Sequence, residues 1–151
     1  MCMINNAKMT KELVEKSVRA KKNLKMYKLF YINRYKTEVD GSIKIGKFFY
    51  KINSPYMNYN WRLGENTDPL VIEKLKSGEE VKFCFHLCES LSDAKVIKEM
   101  QPPFIIIPVY VNKNDICYKG NYSNFSGNPI WDKLHFSVGV KKLTLKKEDV
   151  L

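Results

Sequence analysis

The feature that most constrains the fold is a pair of aromatic and β-branched runs with a turn signal between them. Residues 26–35 (MYKLFYINRY) and 43–52 (IKIGKFFYKI) are built from residue types that suit a pleated, half-buried surface. Between them stands Asp40-Gly41, a dipeptide suited to a tight β-hairpin. The pattern predicts a strand, a hairpin turn and one or two return strands, with Gly46 marking a bulge. A chain that opens its body this way is committed to an antiparallel sheet.

The rest of the chain adds to that sheet. Ser54-Pro55 interrupts it, residues 56–63 (YMNYNWRL) resume the strand pattern, and Gly64-Glu65-Asn66 reads as a turn. Asp68 and Pro69 fit the cap and first position of a short helix that ends near Gly78. Residues 80–88 (EVKFCFHLC) alternate as a strand, and Ser90 caps a helix over residues 91–100 that Pro102-Pro103 stops. Residues 104–111 (FIIIPVYV) are apolar on both faces and predict a buried strand, with Pro108 at an edge or a bulge. Residues 117–129 read as a loop, and residues 133–145 (KLHFSVGVKKLTL) as one long or two short strands.

Before the sheet lies the most basic stretch. Thr10 is a plausible N-cap for a helix reaching about Lys22, with a thin apolar stripe of Leu13, Val14 and Val18. Residues 1–25 are therefore read as a basic N-terminal helix or arm, and residues 26–151 as a single compact domain. The fold class is α+β: a mostly antiparallel sheet with two or three short helices.

The formal charge is +10, and the basic residues include only three arginines, Arg19, Arg34 and Arg62. Such a surface attracts anions, whereas paired reading of base edges prefers arginine. The first residues lack a leader pattern, and no apolar run is long enough to span a bilayer. These features predict a cytoplasmic protein with reduced thiols, away from membranes, as a monomer or a homodimer.

Few residues offer chemistry. Cys84, His86 and Cys88 alternate on one predicted strand, but three ligands in a row splay too far for one tetrahedral ion, so no metal is expected. No phosphate-cradling glycine loop, nucleophile triad or paired carboxylates can be traced, and no cofactor is implied. Catalytic residues are not assigned. Ligand binding is better served. Tyr56, Tyr59 and Trp61 beside Lys51 and Arg62, together with His86, could stack a ring and neutralise a phosphate. The competing reading makes Tyr59 and Trp61 core. Lys16, Arg19, Lys21, Lys22 and Lys25 form the alternative anion surface, for nucleic acid.

The order Tyr27-Lys28, Asp40-Gly41, Ser54-Pro55-Tyr56, Trp61 with Gly64, Phe85-His86-Leu87, Ser90-Leu91-Ser92-Asp93-Ala94 and Gly120 resembles a loose group of small phage- and prophage-type proteins. The resemblance spans residues 26–122. It departs at Val81-Lys82, where a glycine often precedes the strand, and at Cys88, which replaces a common aromatic. It implies a mobile-element setting and no mechanism. The step from Phe85 to Ala94 also resembles one in ADP-ribosyltransferase folds. Those enzymes need a later glutamate, and none lies between Met100 and Lys147. The leading expectation is thus a binding protein of a mobile element, serving counter-defence by binding a host protein or an anionic nucleotide ligand. The alternatives are a nucleic-acid-binding protein that uses its N-terminal lysines and a small enzyme with a transferase-like fold or a Cys84/His86 site.

Overall fold

The computed structural model describes residues 3–5, 19–54, 58–69, 80–81, 85–100, 103–122 and 137–150. Among them the chain is mostly antiparallel sheet with two helices. The strands are β1 (Met3–Asn5), β2 (Leu24–Tyr35), β3 (Ile43–Ile45), β4 (Phe48–Asn53), β5 (Gly64–Thr67), β6 (Glu80–Val81), β7 (Phe85–Leu87), β8 (Ile105–Val111), β9 (Cys117–Tyr122), β10 (Ser137–Val140) and β11 (Lys142–Leu145). The helices are α1 (Leu91–Met100) and α2 (Lys147–Val150).

Two sheets form, in the orders β6-β1-β9-β10-β7 and β3-β4-β2-β8-β11-β5. Several links join them among the described residues. Lys141 carries the chain from β10 in the first sheet directly into β11 in the second. Cys88, just past β7, exchanges both backbone hydrogen bonds with Tyr27 of β2, at 2.9 and 2.7 Å. The result is a curled half-barrel.

The concave side holds the main core. Met26, Phe30, Ile52, Trp61, Phe85, Leu87, Ile107, Val109, Val138, Leu143 and Leu145 pack there from both sheets. A second cluster lies on the convex side, where Ala94 and Ile97 of α1 pack on Leu29 and Cys88. The apolar run of β8 serves both, with Ile107 and Val109 facing the main core and Ile106 facing α1. That double burial is why the run lacks alternation. Pro108 sits within β8, but pairing with β11 is confined to Thr144 and Tyr110, so the ladder on that side stops short of the proline. Ser90 caps α1 as its sequence requires, its Oγ accepting the Asp93 N–H at 3.2 Å.

Several expectations are corrected. Asp40-Gly41 does form a turn, with Gly41 at φ 75 and the Ser42 N–H donating to Val39 O. The strands it joins, however, are not neighbours, because β4 lies between β2 and β3. The two-residue hairpin is instead Gly46-Lys47, between the paired residues Ile45 and Phe48. Gly46 at φ 65 takes the first loop position that such turns reserve for glycine, so it is a turn and not a bulge. Residues 64–67 are not a turn but β5, paired with β11. Residues 58–63 are not a strand; they bring Tyr59, Trp61 and Leu63 against the main core. The start of the 117–129 segment is β9 rather than a loop, held between β1 and β10. Arg19 to Asn23 are not helical; they form a strap bonded to the turn at residues 112–115. The rest of the expected N-terminal helix, residues 10–18, and the one expected after Asp68, residues 70–79, fall outside the described residues.

Candidate functional site

The longest strand, β2, positions everything that follows. Over Leu24 to Phe30 it pairs with β8, and over Tyr31 to Tyr35 with β4. Alternation sends Met26, Lys28, Phe30 and Ile32 into the curl, and Tyr27, Leu29, Tyr31, Asn33 and Tyr35 outward. Two cation-and-aromatic clusters arise from this one strand, one on each side.

The inner cluster centres on Lys28, which is 7% exposed. Its Nζ donates to the His86 backbone oxygen at 3.0 Å. It stands 5.8 Å from the Phe30 ring centroid and 5.6 Å from that of Trp61. Trp61 in turn meets Phe30 edge-on at 5.1 Å, Tyr59 at 4.7 Å and Phe85 at 4.6 Å. Burial lowers the Lys28 pKa from 10.5 to about 8, against a smaller raising influence from Cys88. Cation–π attraction and one strong acceptor hold a charge that the interior would otherwise reject.

Two side chains set the irregular 58–63 segment across this cluster. Ser54 Oγ accepts the Trp61 indole N–H at 3.1 Å. Asn66, fully buried, accepts the Arg62 N–H at 3.0 Å and donates to Arg62 O at 2.8 Å and Gly64 O at 3.2 Å. The short turn so clamped needs Gly64 at φ 87. Asn66 therefore substitutes for a missing ladder and fixes Trp61 inward.

The outer cluster lies beyond α1. Residue pairs across the β2–β4 ladder are Tyr31 with Asn53, Asn33 with Lys51 and Tyr35 with Phe49; across β3–β4, Lys44 opposes Phe49. Opposed residues share a face, so Tyr31, Asn33, Tyr35, Lys44, Phe49, Lys51 and Asn53 form one surface. Among the described residues, Phe104 reaches only its margin, edge-on to Tyr31 at 6.2 Å. Tyr31 is 37% exposed, Tyr35, Phe49 and Lys51 are half-buried, and Lys44 is exposed. Lys44 Nζ stands 5.8 Å from the Phe49 ring. The surface offers rings for stacking, ammonium groups for an anion and carboxamides for hydrogen bonds.

The structure separates the residues that sequence reasoning grouped. Trp61, 1% exposed, belongs to the core and cannot stack an outside ligand. Tyr59 packs against that same core. Lys51 lies on the opposite side of the sheet, because its neighbour Ile52 is the β4 residue that enters the core. Arg62 is exposed on the clamped segment. His86 serves Lys28 through its backbone oxygen. Tyr56 lies outside the described residues. Of the alternative basic set, Arg19, Lys21, Lys22 and Lys25 are exposed at the start of β2, with the Arg19 guanidinium donating to Asn114 O at 2.9 Å; Lys16 lies outside the described residues.

The Cys84/His86 reading includes Cys84, which lies outside the described residues. Cys88 is buried in the α1-side cluster and Cys117 in the main core, so the sheet stands between them. Among the described residues no group of three or more His, Cys, Asp or Glu could hold a metal ion, and no helix is long and apolar enough to cross a membrane. Sequence reasoning missed Lys28, Tyr31, Tyr35, Lys44 and Phe49. The available signal was parity along β2, obscured because both parities of MYKLFYINRY carry apolar residues. No family model, curated protein or solved structure matches the chain.

Proposed function

We propose that this chain is a non-catalytic binding protein that takes an anionic, ring-bearing ligand of the nucleotide class on the outer face of β2, β4 and β3. The observation that carries the reading is the Tyr35–Phe49 pair, on a sheet face that the described residues leave open, with Lys44 and Lys51 beside it. Aromatic rings bind bases through their faces, and ammonium groups add attraction for phosphate. The overall charge of +10 favours the same class of ligand. The motif order that resembles phage- and prophage-type proteins motivates a mobile-element setting. There, sequestering a nucleotide signal of the host, or occupying a host factor, would serve counter-defence.

Calorimetric titration with adenosine monophosphate and with adenosine tests the reading. The nucleotide should bind more tightly than the nucleoside, weaken as salt rises, and lose affinity in Tyr35→Ala and Lys51→Gln. Equal binding by both variants, or none by the unaltered protein, would remove this face from consideration. Turnover of the nucleotide by the pure protein would contradict the non-catalytic reading.

A further inference from the structure

The outer face carries two ring platforms rather than one, and their separation bears on ligand size. Tyr35 and Phe49 form the first, as a directly opposed pair beside Lys44. Tyr31 forms the second, steadied edge-on by Phe104 at 6.2 Å. They stand four residues apart along β2, about 13 Å of extended strand. Ring contacts reach about 4.5–7 Å between centroids, so a base on one platform is out of reach of the other. Between the platforms lies the Asn33–Lys51 row, one carboxamide and one ammonium. The order across the surface is ring, cation with amide, ring. That is the order of base, phosphodiester and base in an extended strand.

We infer that the face binds single-stranded nucleic acid, with one base on Tyr35 and Phe49, another on Tyr31, and an intervening phosphate at Lys51. The inference rests on the proposed nucleotide-class site and deepens it. A mononucleotide fills one platform and leaves the second idle, whereas a short strand engages both. A duplex hides its ring faces in its own stack and cannot use either platform. Sequence preference should be weak, since stacking accepts every base and the face carries no arginine for bidentate base reading. The strong charge excess would steer such a strand to the protein and make affinity fall steeply with salt.

The test is fluorescence anisotropy with labelled oligothymidylates of one, two, four and eight nucleotides, beside a mixed-sequence duplex, at low and at physiological salt. Affinity should rise at least about tenfold between one and four nucleotides and then flatten, with the duplex bound less tightly than the eight-nucleotide strand. Tyr31→Ala should weaken the four-nucleotide strand about 5- to 100-fold and the mononucleotide by much less, while Tyr35→Ala weakens both strongly. Affinity independent of length, with mononucleotide binding still dependent on Tyr35, would overturn the strand inference and leave the nucleotide site standing. Failure of every length to bind would overturn both. Duplex binding equal to or tighter than that of the eight-nucleotide strand would also overturn the inference. The length series uses the unaltered protein, so it decides even where a variant does not fold.

Discussion

The two sides of β2 carry the same kinds of side chain and do opposite things with them. Inside the curl, Lys28 lies among Phe30 and Trp61 and is 7% exposed. Outside, Lys44 and Lys51 share a face with Tyr31, Tyr35 and Phe49, and that face is open among the described residues. Only parity and cover differ. The inner side is closed by the second sheet and by the clamped 58–63 segment. On the outer side α1 shields Leu29 and stops before Tyr31. A lysine beside aromatic rings is therefore no signature of a site. Inside, the rings and one carbonyl serve the lysine; outside, the described residues leave the rings and lysines at least partly exposed.

The sharpest way to break the comparison is to shorten one ring on each side. Trp61→Ala removes a fully buried indole and its bond to Ser54, and should cost about 3–5 kcal/mol in denaturant unfolding. Phe49→Ala, on the outer face, should cost only about 1 kcal/mol, the scale of a lost cross-strand aromatic pair, while weakening nucleotide binding. Similar losses of stability at both positions would mean that the outer rings also belong to a core.

Next in size is the inner charge. Lys28→Met keeps the length of the side chain and removes the ammonium, and should stabilise the protein near neutral pH by on the order of 1–3 kcal/mol. The sign with pH is fixed by the direction of the shift. The folded protein releases this proton near pH 8 and the unfolded chain near 10.5, so between those values the unfolded state binds more protons. The penalty is full below about pH 8 and is relieved as pH rises towards 10.5. The stability gap between the variant and the parent should therefore narrow over that window. A gap that stays constant would contradict a charged, desolvated Lys28.

The smallest effect belongs to the outer charge. Lys51→Gln should change stability by less than about 0.5 kcal/mol and lower the salt dependence of oligonucleotide binding by about one unit of slope. A large stability loss here would show that Lys51 holds the fold rather than a ligand.

Much of the architecture was legible wherever a local signal decided it. Ser90 as a cap, the helix over 91–100 and the strand of residues 26–35 follow from capping chemistry and residue type. What failed was pairing. Nothing local in Asp40-Gly41 says that the strand after it will be displaced by β4, because the displacing hairpin turns on Gly46-Lys47, a weaker signal. Residues 117–122, CYKGNY, read as loop because glycine and asparagine disfavour strands, and long-range pairing with β1 and β10 overrides that preference. The candidate site suffered for the same reason. Trp61 and Lys51 lie ten residues apart in sequence, and only the register of β4, with Ile52 inward, sets them on opposite sides of a sheet. Tyr31, Tyr35 and Phe49 became a surface once β2 and β4 were paired, a fact carried by topology and not by any motif.

The most direct test of the central claim is a nitrogen-15 correlation spectrum of the protein titrated with a four-nucleotide oligothymidylate. The backbone signals of Asn33, Tyr35, Lys44, Phe49 and Lys51 should shift together, while the Trp61 indole N–H, held by Ser54, stays in place. Shifts concentrated on the Trp61 indole and the backbone around Lys28, with the outer face silent, would place the ligand inside the curl and contradict the account.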